Sequence, residues 1–245
     1  LAGYARKAHP YDFHSLRYAF AGAEKLSDAT RRSWSEQFGV RLFEGYGATE
    51  TAPVLATNTP MYNRPGTVGR FLPGLAWRLE PVPGIATGGR LQVQGENVML
   101  GYYLPENPGV LVPPAAGWYD TGDIVEVSED GFVRIVGRAK RFAKIGGEMV
   151  SLAAVEELAS RAWPGVLHAA LARPHPTKGE EVLLFTEQPD AVRTVLVTAA
   201  HGAGVPELCV PRQILVRHKL PVLGTGKPDY VTLNAELARL VRMEE

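Results

Sequence analysis

Residues 117–148, GWYDTGDIVEVSEDGFVRIVGRAKRFAKIGGE, constrain the fold of this chain more than any other stretch. Two β-rich runs, Ile124–Val127 and Phe132–Ile135, flank Ser128-Glu129-Asp130-Gly131, whose turn-forming residues predict a hairpin. Before the hairpin, Trp118-Tyr119-Asp120-Thr121-Gly122-Asp123 reads as a loop that presents a carboxylate, Asp123. After it, Gly137-Arg138-Ala139-Lys140 reads as the joint between two domains, with Arg141 and Lys144 adding further positive charge.

The texture of the chain changes along its length. Leu16–Ala21 reads as a buried strand ending at Gly22. Ser27 is a plausible N-cap for a helix through Phe38, with Asp28 in its first turn and Gly39 past its end. Val40–Glu44 reads as a second strand running into Gly45-Tyr46-Gly47-Ala48-Thr49-Glu50. From about residue 60 helical periodicity gives way to short β-rich runs punctuated by Gly and Pro: Thr67–Arg70, Ala76–Glu80 and Arg90–Gln94. Beyond the joint, strands over Phe142–Ile145, Val166–Ala172, Val182–Thr186 and Gln213–Val216 interleave with helices after Ser151, over Ala191–His201 and over Tyr230–Val241. The expected architecture is α/β plus α+β: an α/β layer over 1–59, a small β-barrel over 60–138, and a compact α+β domain over 139–245.

Bulk composition narrows the function classes. Hydrophobic content of 45% against 21% charged residues predicts an ordinary packed globule. The 26 basic and 26 acidic residues balance, and neither side of the joint has the basic excess that nucleic-acid binding requires. The single cysteine, Cys209, excludes an internal disulfide framework and fits a reducing compartment. No apolar run is long enough to span a bilayer. The start, LAGYARKAHP, has neither a signal-peptide pattern nor an initiator Met and reads as the middle of a longer protein.

Three stretches could carry chemistry. In Gly45–Glu50 the glycines free the backbone beside an aromatic, a hydroxyl and a carboxylate, groups that suit a base, a phosphate and Mg²⁺. The same residues also suit a Gly-rich turn whose Tyr46 packs in the core. Asp120 and Asp123 could hold a metal or a sugar diol, or could cap their own turn. Gly224-Thr225-Gly226-Lys227 is not a Walker loop, because Pro221 stands where that motif needs glycine and Pro228 where it needs Ser or Thr. Lys227 remains either a mobile point charge for a phosphate or a solvated surface lysine. The six histidines and Cys209 show no metal-ligand spacing.

Taken in order, Tyr46-Gly47-Ala48-Thr49-Glu50, residues 88–103, Tyr119–Asp123, Gly137–Arg141 and Gly224–Lys227 resemble the adenylate-forming superfamily of acyl-CoA synthetases, luciferases and peptide-synthetase adenylation domains, over nearly the whole chain. More narrowly, Ala21–Leu26, Gly137–Leu152 and the segment from His201 through Leu233 resemble the synthetase part of the bacterial bifunctional acyl-acyl carrier protein synthetase/2-acylglycerophosphoethanolamine acyltransferase family.

The resemblance implies the C-terminal part of such an enzyme, with residues 1–138 from its large domain and 139–245 its mobile lid. It implies that ATP and Mg²⁺ are cofactors. Gly22, Ala23 and Glu24 would line the adenine pocket, with Tyr46 stacked on the ring beside Gly47. Thr49 would contact the α-phosphate and Glu50 would bind Mg²⁺. Asp123 would hold the ribose hydroxyls with Arg138 beside it, Lys140 would be the hinge, and Lys227 would reach the α-phosphate. Gly146, Gly147 and Glu148 would turn to the thiol channel in the second half-reaction. Fatty acid and acyl carrier protein, or CoA, would be substrates. An acyltransferase domain absent here would use 2-acylglycerophosphoethanolamine at the cytoplasmic face of the bacterial inner membrane, this fragment itself being soluble.

The superfamily's Ser/Thr/Gly-rich phosphate loop has no match in residues 1–245, so the missing upstream segment is expected to be needed for acyl-adenylate formation. Arg141 or Lys144 could steer an acidic carrier, or form a solvated basic strand edge. The alternatives to a carrier-protein ligase are a plain long-chain acyl-CoA synthetase and a non-catalytic binding module descended from one.

Overall fold

The computed structural model describes residues 1–224 and 226–244. Thr225 of the Gly224–Lys227 motif lies outside the described residues. The chain divides into two compact units: residues 1–82 with 86–136, and residues 83–85 with 137–245.

The first unit opens with a short helix α1 (Ala2–Ala5), strand β1 (Ala19–Ala21), helix α2 (Asp28–Phe38) and strand β2 (Leu42–Gly47). The strand anticipated from Leu16 begins only at Ala19, because Leu16 is still in a turn, its N–H bonded to Phe13 O. Helix α2 is stopped at both ends by local chemistry. The Ser27 hydroxyl accepts the Thr30 N–H, and Gly39 closes the helix in the left-handed region at φ 66. Trp34 is the side chain that α2 buries, against Ala5, Leu26, Val40 and Leu42. Arg31 bonds Glu44 Oε2 at 2.6 Å and so pins the helix to β2. β1 and β2 are parallel, with Ala19 opposite Leu42 and Ala21 opposite Glu44. Antiparallel β3 (Val54–Thr57) and β4 (Arg70–Phe71) complete this sheet in the order β1-β2-β3-β4.

The β-rich region follows as β5 (Ala76–Glu80), β6 (Gly89–Gln94), the hairpin β7 (Tyr102–Tyr103) and β8 (Leu111–Val112), β9 (Tyr119–Val127) and β10 (Val133–Arg138). Its main sheet has the order β10-β9-β6-β5. Hydrogen bonds from Val68 N to Val133 O at 2.9 Å and from Val133 N to Gly69 O at 2.7 Å join the approach to β4 with β10. Alternate residues Leu91 and Val93 of β6 meet Leu55, Val125 and Val133 in one core. Each fully buried side chain of this size contributes about 1.5–3 kcal/mol.

Tyr119–Asp123 is not a loop but the first half of the nine-residue strand β9. The register jumps from Arg90 opposite Ile124 to Gln92 opposite Asp120, so Thr121, Gly122 and Asp123 bulge out against Leu91. Gly122 takes φ 69 in that bulge. The polar residues that suggested a loop satisfy the bulge internally: Asp120 Oδ1 accepts Gly122 N at 2.8 Å, and the Thr121 hydroxyl donates to Leu91 O at 3.0 Å.

The second unit contains β11 (Phe142–Ile145), β12 (Glu148–Ser151), α3 (Leu152–Ala162), β13 (His168–His175), β14 (Gly179–Thr186), α4 (Arg193–Ala203), β15 (Gln213–Val216) and α5 (Tyr230–Glu244). β11 and β12 form a hairpin whose two-residue turn is Gly146-Gly147, both at positive φ. β14 pairs antiparallel with β13 and parallel with β15. Alternation sorts the sheet's side chains to two faces. Ala170, Val182 and Leu184 pack with Val155 and Leu158 of α3 and Leu196 of α4. Ala169, Leu171, Leu183 and Phe185 pack with Leu233 and Leu237 of α5. The sheet is therefore covered by α3 and α4 on one face and by α5 on the other.

Candidate nucleotide site

The first unit gathers most of the anticipated residues at the carboxyl ends of its parallel strand pair, where ligands bind in open α/β sheets. β1 ends at Ala21, so Gly22, Ala23 and Glu24 form an exposed turn beyond it. Ala23 is held at φ 66, and a Cβ on Gly22 would meet Gly45 O of β2 at 3.4 Å. The turn thus lies against the Gly45-Tyr46-Gly47 end of the neighbouring strand. Gly47 itself is required by crowding: a Cβ there would stand 1.7 Å from Pro53 O.

The Tyr46 hydroxyl donates to Asp123 Oδ2 at 2.6 Å. This bond joins the β2 terminus to the bulge of β9, and Asp123 is only 5% exposed. Asp120, the other carboxylate of that segment, has a different role. Its Oδ1 accepts Arg90 Nε at 2.9 Å, and a second Arg90 nitrogen bonds its other oxygen across β6 and β9. It fastens the strands together.

Thr49 and Glu50 lie in a single 3-10 turn, Thr49–Thr51, directly after β2. Thr49 is exposed and Glu50 half-buried. The Tyr102 hydroxyl donates to Glu50 Oε1 at 2.8 Å, and Met99 N bonds Glu50 O at 2.8 Å. Burial raises the Tyr119 phenol well above the usual tyrosine range, with its hydrogen bond to Tyr102 and the Glu50 charge adding to the effect. Burial, then the bond to Glu50, raises Tyr102 as well. Both phenols therefore stay protonated as donors beside the carboxylate.

Tyr102 and Tyr119 were not singled out from sequence, although both lie in the stretches that carried the resemblance. No spacing rule links Tyr102 to a carboxylate 52 residues earlier. Thr51 was also missed. Fully buried, its hydroxyl accepts Ala48 N at 3.1 Å and lies 2.9 Å from Ala48 O and 3.0 Å from Pro53 O, setting the shape of the turn.

Among the described residues no cluster of three His, Cys, Asp or Glu could hold a metal ion. The donor chemistry around Glu50 is one carboxylate with neutral hydroxyls. That set fits Mg²⁺, which is usually held by one or two carboxylates together with substrate phosphates and water rather than by an all-protein cage.

The remaining anticipated residues belong to the second unit. Arg138 ends β10 and precedes the 3-10 turn Ala139–Arg141, in which Lys140 is exposed. Gly146 and Gly147 are the β11–β12 turn, and Glu148 is the first residue of β12 rather than part of a loop. Lys227 is exposed on a loop closed by a bridge between Val222 and Pro228, with Leu223 N bonded to Lys227 O at 2.8 Å. Arg141 is not a free steering charge: it bonds Glu156 Oε1 at 2.6 Å. No helix among the described residues is long and apolar enough to cross a membrane.

Residues 2–103 match the family model described as AMP-binding enzyme. A long-chain-fatty-acid–CoA ligase of Salmonella typhimurium is 34% identical over 229 residues, covering 88% of this chain and 39% of the relative. ATP-bound MatB from Rhodopseudomonas palustris superposes with a TM-score of 0.71 at 26% identity, covering 94% of this chain and 51% of that one. The anthranilate CoA ligase AuaEII in complex with anthranoyl-AMP gives a TM-score of 0.70 at 25% identity, covering 98% and 48%. The chain spans about two fifths of the length of the curated relatives it matches. Family model, relatives and solved structures together support placing the chain in the AMP-binding, adenylate-forming acyl-CoA ligase superfamily.

Proposed function

We propose that this chain is part of an ATP-dependent ligase that activates a fatty acid as acyl-adenylate and passes the acyl group to a thiol. The observation that carries the reading is the Tyr46–Asp123 bond at the mouth of the β1–β2 pair. It joins a carboxylate able to accept ribose hydroxyls to an aromatic residue whose strand neighbour Gly45 lies against Gly22.

Attack of a carboxylate on the α-phosphate brings two anions together, so positive charge and positioning do most of the work. Glu50, oriented by Tyr102, would hold Mg²⁺, which supplies charge neutralisation at the phosphates when bound. In this reading Thr49 contacts the α-phosphate from its exposed place in the turn, Asp123 and Arg138 address the ribose, and the second unit contributes Lys227 as a point charge. Lys140 is read as the pivot, and Gly146, Gly147 and Glu148 as the segment that serves the thiol.

The acceptor divides two finer readings. Acyl carrier protein is favoured by the likeness of Gly137–Leu152 and the C-terminal segment to the bifunctional family, which also suggests lysophospholipid reacylation at a membrane. CoA is favoured by the curated relatives, which are CoA ligases. Engagement of Arg141 with Glu156 leaves Lys144 as the stronger candidate for steering an acidic carrier.

The test uses the full-length parent. Fatty-acid-dependent pyrophosphate release should occur with ATP and Mg²⁺, and Glu50→Gln or Lys227→Ala should reduce it by about a hundredfold or more. Supplying CoA or holo-acyl carrier protein in turn identifies the acceptor. Absence of fatty-acid-dependent pyrophosphate release by the parent would refute the reading and favour a non-catalytic binding module.

A further inference from the structure

Arg141 follows directly on Lys140, yet its guanidinium turns inward. One nitrogen donates to Glu156 Oε1 at 2.6 Å, another to Ala170 O at 3.3 Å, and its carbon lies 3.9 Å from the centroid of the Tyr230 ring. The Tyr230 hydroxyl donates to the same Glu156 Oε1 at 3.0 Å, and Ala170 N donates there at 2.8 Å. Three donors from three segments therefore converge on one carboxylate oxygen. The Arg141 and Glu156 side chains are 20% and 19% exposed, so solvent screens the pair only partly.

The place of each member in the chain matters. Arg141 closes the 3-10 turn Ala139–Arg141 that contains Lys140. Glu156 is in the middle of α3, and Tyr230 is the first residue of α5. Only Pro228 and Asp229 separate Tyr230 from Lys227. Those two positions have little slack: Asp229 N bonds Pro221 O at 2.8 Å, and the Asp229 carboxylate accepts the N–H groups of Val231 and Thr232. The loop bearing Lys227 is thereby hung on the first turn of α5, and that turn meets the residue that follows Lys140 through the Tyr230 ring and the shared Glu156 carboxylate.

We propose that Arg141, Glu156 and Tyr230 are positioning residues that couple the turn at Lys140 to the loop bearing Lys227, so that the two segments move as one piece. The coupling stands on the contacts above; its catalytic consequence rests on the roles given to Lys140 and Lys227 under Proposed function. A displacement at the turn would then carry the lysine with it instead of being absorbed inside the second unit. Arg141 suits the task because its planar fork bonds two partners while its face lies on an aromatic ring, which a lysine cannot do.

Hydrogen exchange on this chain tests the coupling without any assay of activity. The amides of Leu223, Gly226 and Asp229 report on the loop, and those of Phe142 and Ala143 report on the strand after the turn. Tyr230→Phe keeps the ring and removes one donor, and Arg141→Lys keeps the charge and removes the fork. Each variant should raise exchange at both sets of amides by about tenfold while the centre of β14 is unchanged. Faster exchange only beside the substituted residue, or a uniform rise across the second unit, would overturn the coupling.

In the full-length parent, Tyr230→Phe should lower kcat for adenylate formation several-fold, with KM for ATP within about twofold and thiol transfer from supplied acyl-adenylate retained. Equal loss in both half-reactions would mean a merely structural role. A parent with no adenylating activity would defeat the functional reading while leaving the exchange result to decide the coupling.

Discussion

The Tyr46 hydroxyl and the Asp123 carboxylate, 77 residues apart, meet at 2.6 Å. Asp123 is buried, so the loss of this donor is felt in stability as well as in binding. Tyr46→Phe should destabilise the chain by about 1–3 kcal/mol, and Asp123→Asn, which retains an acceptor, by less. Urea unfolding of the chain measures both. In the full-length parent, Tyr46→Phe keeps the ring, so any rise in KM for ATP reports on the Asp123 carboxylate; the additional rise in Tyr46→Ala reports on stacking. Unchanged urea midpoints in all three variants would show that the bond carries no stability.

Gly47 and Gly39 separate two reasons for a glycine. At Gly47 a Cβ would stand 1.7 Å from Pro53 O and 2.9 Å from Val54 Cα, where the β2–β3 register shifts. Backbone atoms cannot yield as a flexible side chain can. Gly47→Ala should therefore cost about 3 kcal/mol or more and disturb the turn that bears Thr49 and Glu50. At Gly39 the space is open and only φ 66 opposes a side chain. Gly39→Ala should cost about 1–2 kcal/mol and leave the turn unaltered. Thermal unfolding ranks the two, and a larger loss at Gly39 would contradict the crowding argument.

Capping chemistry and alternation made much of the fold legible, because both are local. Ser27 and Gly39 mark the ends of α2, and Ser151 marks the start of α3, as the side chains alone predict. The alternating faces of β13 and β14 are written in their apolar residues. Non-local pairing was not legible. Tyr119–Asp123 carries turn residues, yet pairing with β6 draws it into β9 and turns the irregularity into a bulge. Gly146, Gly147 and Glu148 were read through the resemblance as one loop, but Glu148–Ser151 pairs with β11 and leaves only the two glycines as the turn.

The site divides in the same way. Tyr46, Glu50 and Asp123 stand out by residue type and Gly22 only through the resemblance, and the fold brings the Tyr46 hydroxyl to Asp123. Tyr102, which bonds Glu50, and Tyr119, which bonds Tyr102, are brought there by strand pairing that leaves no mark in local sequence. Arg141 was read as a surface charge because a sequence gives charge but not burial. In the folded chain Glu156 and Tyr230 occupy it.

Two ionisable groups give opposite signs of pH dependence. The Asp130 carboxyl, at the hairpin between β9 and β10, is held down to about 2 by its hydrogen bonds to Arg64 and then Ser128. An unfolded aspartate titrates near ~3.9. The depressed value means that the contribution is present above about pH 4 and is lost as pH falls through 2. The pair is exposed, so added salt should weaken it. Arg64→Gln should return the Asp130 titration toward the ordinary carboxylate range, as followed by carboxyl NMR shifts. A titration unmoved by the substitution would mean that Arg64 does not hold the group down.

Tyr230 provides the alkaline counterpart. Burial pushes its phenol up to about 12, and the Glu156 charge adds to the rise while Arg141 opposes it. An unfolded tyrosine loses its proton near ~10. The neutral phenol is thus favoured in the folded chain, so this contribution is complete below about pH 10 and is lost as pH rises toward 12. Tyrosinate absorbance, taken as the difference between the chain and its Tyr230→Phe variant, isolates this residue from the other eight tyrosines. Glu156→Gln removes the repelling charge and should bring the titration down, whereas Arg141→Met removes the opposing charge and should move it further up. A Tyr230 titration near pH 10 that ignores both substitutions would mean that the phenol is open to solvent, and the contact between α5 and the turn at Lys140 would have to be redrawn.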